Sequence, residues 1–159
     1  MIHAQNSKIV PVVFPQAIKD DTDWVGTTAS TPVVVDTAGF DYAVFTWIVG
    51  ATDIAQASLI VVSDDDSALG STTAQYTFGA TGKMALPTST DDNKVWKLFI
   101  DLRGKERYWG ITAKAGNGST GAYGVGYFEL FRASSEVPNT ATERGLAMPR
   151  ISRRGAVLR

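Results

Sequence analysis

Phe40-Asp-Tyr-Ala-Val-Phe-Thr-Trp-Ile-Val-Gly-Ala-Thr-Asp-Ile-Ala-Gln-Ala-Ser-Leu-Ile-Val-Val-Ser-Asp-Asp-Asp66 holds two runs of β-branched and aromatic residues, 42–50 and 57–63. A short polar break separates them and three aspartates close the second. Neither run repeats apolar residues at the three- and four-residue spacing of a helix. Both are short and rich in Val, Ile, Phe and Trp, which suits a pleated, buried surface. The stretch therefore reads as two strands of one core, each buried on both faces or nearly so. One helical turn over 53–56 is the expected break between them.

The rest of the chain repeats this style. Segment 8–14 is apolar and bounded by Pro11 and Pro15, which cannot donate to a ladder, so it is expected at a sheet edge. Segments 24–28, 31–36 and 74–78 are shorter strand candidates. In 94–102, Val95, Lys97, Phe99 and Asp101 alternate with Trp96, Leu98, Ile100 and Leu102. In 107–114, Trp109, Ile111 and Ala113 share a side. In 121–131, Tyr123, Val125 and Tyr127 oppose Phe128 and Leu130. Segments 102–106 and 116–121 read as tight hairpins, because Gly and Asn accept positive φ at little cost. The prediction is an all-β fold: an antiparallel two-sheet sandwich of jelly-roll type, with extended terminal segments. Residues 18–134 form the sandwich. Residues 1–17 are an N-terminal extension or edge strand, and 135–159 a C-terminal arm.

Bulk composition narrows the chemistry. The 159 residues suit a single domain, and 44% of them are hydrophobic. Fifteen basic side chains against sixteen acidic leave a net charge of −1, so no strong field recruits nucleic acid or anionic membrane. There is no cysteine, which removes disulfides, thiolate nucleophiles and cysteine-bound metals. No apolar run approaches the roughly 20 residues that span a bilayer, and no signal-like apolar segment follows Met1, so synthesis in a cytoplasm without export is the expectation. Charge is uneven. Residues 135–159 carry Arg144, Arg150, Arg153, Arg154 and Arg159 against Glu136 and Glu143, whereas the preceding residues are net acidic.

Reactive constellations are sparse. His3 is the single histidine, and a Ser-His-Asp triad would need it beside a buried Asp. Asp20, Asp21 and Asp23 cluster, as do Asp64, Asp65 and Asp66. Asx turns and an oxygen-rich cation loop both fit that composition. Asp101, Glu106 and Glu129 have the residue type of a glycosidase pair. The run Gly116-Asn-Gly-Ser-Thr-Gly121 spells GxGxxG, yet a strand pattern follows where a dinucleotide site needs a helix N-terminus. Tyr108-Trp109 beside Arg103, Lys105 and Arg107 has the make-up of a single-strand nucleic-acid groove, and equally of a strand end with a basic rim. Trp47 and Trp96 are expected in the core. Gly121, Gly124 and Gly126 fall within one strand, where a close neighbour, another subunit's backbone or a bulge would explain them. No catalytic set, bound metal or cofactor is predicted.

Three stretches carry a resemblance: Asp36-Thr-Ala-Gly-Phe-Asp-Tyr-Ala-Val-Phe-Thr-Trp47, Ala57-Ser-Leu-Ile-Val-Val-Ser-Asp-Asp-Asp66 and Ala122-Tyr-Gly-Val-Gly-Tyr-Phe-Glu-Leu130. Across 18–134 the chain resembles the small β-sandwich decoration, or cement, proteins of tailed-bacteriophage heads. The resemblance implies a non-catalytic virion protein, made in the host cytoplasm. It would bind the outer surface of the capsid as a homotrimer, with the major capsid protein as partner, and bridge capsomers without contacting nucleic acid or membrane. Arg144, Arg150, Arg153, Arg154 and Arg159 are then candidates for bidentate pairing with carboxylates on the shell. The alternative is a carbohydrate- or receptor-binding β-sandwich of a phage particle.

Overall fold

The computed structural model describes residues 7–24 and 32–133, and among them it is all-β. The strands are β1 (Lys8–Val13), β2 (Asp23–Trp24), β3 (Val35–Asp36), β4 (Phe40–Thr52), β5 (Ser58–Asp64), β6 (Thr73–Thr77), β7 (Val95–Asp101), β8 (Tyr108–Lys114) and β9 (Ala122–Ala133). They form two antiparallel sheets. One has the order β1-β9-β4-β7; the other runs β2-β8-β5-β6, with β3 also on β8. β2 and β3 share one edge of β8, at Lys114–Ala113 and Trp109–Tyr108 respectively. The antiparallel sandwich expected from the sequence is present.

The pairing is nested. β1 joins β9, β2 and β3 join β8, β4 joins β7 and β5 joins β6, one pair inside the next. The further pairs β4·β9 and β5·β8 roll this long ribbon onto itself. Only β5 and β6 are neighbours both in the chain and in a sheet. The turn around Gly104 (φ 72°) and the loop 116–121 are therefore not hairpins: each carries the chain from one sheet to the other. Positive-φ glycines serve both geometries, so turn chemistry alone does not distinguish them. The helical turn expected over 53–56 is also absent, because Asp53 is engaged by the 116–121 loop instead.

The core follows period-2 alternation. Ala43, Phe45, Trp47 and Val49 of β4 point inward and are fully buried, as are Leu59 and Val61 of β5 and Phe128 and Leu130 of β9. Each large apolar side chain removed from water contributes about 1.5–3 kcal/mol, and a one-residue slip would turn the whole set outward, so burial fixes the register. Trp47 determines what β9 must be. Its indole lies across Gly124 and Gly126, where a Cβ would stand 2.5 and 2.8 Å from ring atoms. Trp24, from the other sheet, meets it edge-on at 5.4 Å between centroids. The neighbour that approaches these glycines is thus a side chain of the same molecule. Gly121 differs: it adopts φ 81°, and a Cβ there would meet the Lys19 carbonyl oxygen at 2.3 Å.

Alanine is normally better than glycine inside a strand. Here Gly124→Ala should instead destabilise the fold by about 1–3 kcal/mol, because the methyl meets the buried ring. Urea unfolding of the single variants and of the pair with Trp47→Leu should show strong coupling, the glycine substitution costing less once the indole is gone.

Candidate functional site

Most of the ionisable side chains that sequence composition offers for chemistry are already committed. Arg107 grips Asp36 through two hydrogen bonds of 2.8 Å and lies over the Tyr108 ring at 5.0 Å. Arg103 does the same to Asp101, at 2.9 and 2.7 Å, and lies over Tyr42. Trp109 is buried and donates through Nε1 to the Glu106 carbonyl at 2.8 Å. The aromatic–basic cluster expected around Tyr108 is therefore a pair of neutralised guanidiniums over two tyrosines, and not a stacking groove. The three carboxylates of glycosidase type are not brought together either. Glu106 accepts from Ser63 and Thr73 of the β5–β6 hairpin, Asp101 is held by Arg103, and Glu129 stands in the middle of the other sheet. His3 lies outside the described residues.

The two aspartate clusters build loops. Asp64 accepts from the amides of Asp66 and Ser71, at 3.0 and 2.8 Å, and those bonds hold its carboxyl below the usual carboxylate range. Asp66 accepts from Ala68, so this segment is a chain of Asx turns. Asp21 pairs with Lys114 at 2.8 Å, and Asp20 accepts from the Gly118 amide at 2.8 Å. Among the described residues, no three His, Asp or Glu side chains converge where a metal ion could sit.

The GxGxxG loop is occupied from within. The Ser119 and Thr120 amides both donate 2.6 Å bonds to the Asp53 carboxylate, joined by the Thr120 hydroxyl at 3.1 Å. Such a concavity of N–H groups suits an anion, and here the anion is Asp53. Gly118 is required because a Cβ would overlap that carboxylate at 2.3 Å. The Thr120 and Ser119 amides together hold the Asp53 carboxyl far below its ordinary value. Backbone amides and hydroxyls of the loop serve the Asp53 carboxylate, and a strand, β9, follows it.

One sheet also presents a largely apolar surface. The outer side of the β1-β9-β4-β7 sheet carries Tyr42, Val44 and Ile48 from β4, Val125, Tyr127 and Phe131 from β9, and Val95 and Phe99 from β7. Phe99 is 77% exposed and Val95 52%. Shallow apolar grooves run along both halves of it, one between Tyr42, Phe99 and Phe131, the other between Pro11, Val125 and Tyr127. The expectation that β4 would be covered on both faces is thus met on one side only. Its outer residues are half-buried by cross-strand neighbours, and no third layer covers them among the described residues. Comparison with protein-family models, curated proteins and solved structures finds no match.

Arg144, Arg150, Arg153, Arg154 and Arg159 lie outside the described residues. Gly124 and Gly126 are on the inner side of β9, beneath Trp47, while Tyr123, Val125, Tyr127 and Phe131 face outward. The signal for this surface was present in the sequence: 94–102 and 121–131 carry apolar residues on both alternating sides, Val95 and Phe99 or Tyr123, Val125 and Tyr127 in addition to those the core takes.

A pH dependence follows from the carboxylates. The side chain of Arg103 lowers Asp101 to about 2, and Lys94 with Thr88 lowers Asp91 to about 2. Their unfolded counterparts titrate near 3.8. A depressed folded-state value means the unfolded chain binds more protons in between, so this stabilisation is complete above about pH 4 and lost towards pH 2. Thermal melts followed by circular dichroism should be flat from pH 7 to 5 and fall below pH 4. Asp53→Ala should in addition release the Ser119 and Thr120 amides to fast hydrogen exchange while leaving the strand amides protected.

Proposed function

We propose that this chain is a structural adhesion protein of a phage particle, which binds the outer surface of a capsid, bridges capsomers and transforms no substrate. The observation that carries the reading is the solvent-facing apolar side of one sheet on a body where Arg103 and Arg107 are paired with carboxylates and most other described carboxylates are bound by loop amides or lysines. Surfaces of that kind are made for protein contact. The nested strand order supports it: strands wound as a ribbon folded over into two four-position sheets are, we infer, a jelly roll, an architecture common in viral shells and lectins. The arginines of 135–159 supply what the apolar sheet lacks. Arg144, Arg150, Arg153, Arg154 and Arg159 would fork onto carboxylates of the major capsid protein. Several weak contacts on one particle raise avidity by orders of magnitude without a single tight site.

Exposed aromatic rings on a sheet face also favour a second reading, a carbohydrate- or receptor-binding module, since Phe99 and Tyr127 could stack on sugars. The grooves beside those rings are lined mainly by apolar side chains, which weighs towards protein contact.

Electron microscopy of intact phage shells mixed with the protein should show ordered density at repeated surface positions. Removing residues 135–159 should lower shell binding by more than about tenfold in co-sedimentation. Undiminished binding by the truncated protein takes the arm out of the mechanism, and saturable glycan binding without shell binding replaces the reading altogether.

A further inference from the structure

We propose that the outer face of the β1-β9-β4-β7 sheet is the contact between two copies of this chain, related by a two-fold axis that sets Lys97 of one copy against Glu129 of the other. The inference rests on reading this face as adhesive and names a second copy as what it adheres to; shell contact then falls to the arginines of 135–159.

Asp101, near one end of the apolar face, is paired with Arg103, and two further charges interrupt that face without such a partner. Lys97 is on β7 and Glu129 on β9, with β4 between them. Cross-strand register places Lys97 beside Thr46 and Glu129 beside Val44, so the two sit diagonally, two strands and two residues apart. By strand spacing that separation is about 12 Å. Neither takes part in the ion pairs formed among the described residues, which use Asp21, Asp36, Asp91 and Asp101. Two opposite charges without an ion-pair partner in an apolar surface give a complementary partner its register.

Symmetry makes the chain its own complement. Consider a two-fold axis lying in the plane of the face and bisecting the line from Lys97 to Glu129. It crosses β4 between Val44 and Thr46. Rotation about it lays Lys97 on Glu129 of the other copy, and necessarily does so twice. The same operation brings Phe99 over the stretch between Tyr42 and Val44, and Tyr127 over that between Thr46 and Ile48. Rings and aliphatic side chains then meet their like, and both charges are matched.

The area sets the strength. Four strands at about 4.8 Å and seven residues at about 3.4 Å give a face on the order of 450 Å². Two such faces bury roughly 900 Å² together, below the ~1,200 Å² at which specific interfaces become stable. The pair should therefore be reversible. Each dimer would present two copies of residues 135–159 to a shell, which is the bivalency that the proposed adhesion exploits.

The experiment is sedimentation equilibrium of the full chain from about 1 μM to about 1 mM, a range that brackets weak association. The wild type should move from monomer to dimer and stop there. Lys97→Glu and Glu129→Lys, one at a time, each place like charges together twice and should weaken dimerisation at least about tenfold. The double variant, with the charges exchanged, should regain it. Mixing the two single variants should produce a heterodimer, since each supplies what the other needs. A strictly monomeric wild type overturns the proposal, as does a trimer, or a double variant no better than the singles. If deletion of 135–159 turns a monomer into a dimer, the face belongs to that segment, and the proposal is again overturned. Shell binding measured alongside separates the two readings: a monomer that still decorates shells sinks the two-fold contact alone, and a dimer that ignores shells sinks the shell reading alone.

Discussion

The two sheets are keyed together by one aromatic side chain. Trp47 projects from the middle of β4, lies flat on the glycine pair of β9 and receives the edge of Trp24 from the opposite sheet. Three strands from both layers thereby meet at one indole. A residue larger than glycine at 124 or 126 would lift the ring, and a smaller one at 47 would leave a void spanning the layers. Because β4 contacts both β9 and β7, whatever fixes its register fixes the whole sheet. The indole N–H finds no acceptor in its buried position, an orphaned donor that costs free energy. Its retention at that cost indicates how much the ring contributes by filling space between the layers.

Strand positions were legible in the sequence because alternation is a local property. Lys94 to Leu102 and the run ending at Phe131 declared their two faces, and both appear as read. Connectivity between strands was not legible in the same way. The glycine turns at 104 and 116–121 looked like hairpins because positive φ reverses the chain whether the next strand lies beside the first or across the core. That choice depends on which apolar faces find each other, a matter of distant packing. The glycines of β9 announced a close neighbour, but only the fold identifies it as Trp47. The outer face was concealed for a related reason. A strand apolar on both sides reads as buried, and sequence gives no account of what covers it.

The loops illustrate how backbone demand absorbs side chains that composition offers to chemistry. Asp53 fills a nest of amides, Asp64 ties its own turn, and Asp36 and Asp101 are claimed by arginines. Motifs that resemble phosphate or cation sites were therefore closed from inside. Among the described residues, the largely apolar outer face of the β1-β9-β4-β7 sheet stays open to a partner.

The nested pairing has a consequence for how the polypeptide acquires its shape. Lys8 pairs with Leu130, so the first strand among the described residues has its mate in the last. Only β5 and β6 can zip together without closing a long loop, and distant pairings are slow because loop closure comes before any reward. Order should therefore spread outward from the middle of the sequence. β1 emerges from the ribosome before the other described strands yet should join last, and until then the β9 edge that it covers remains open to other chains.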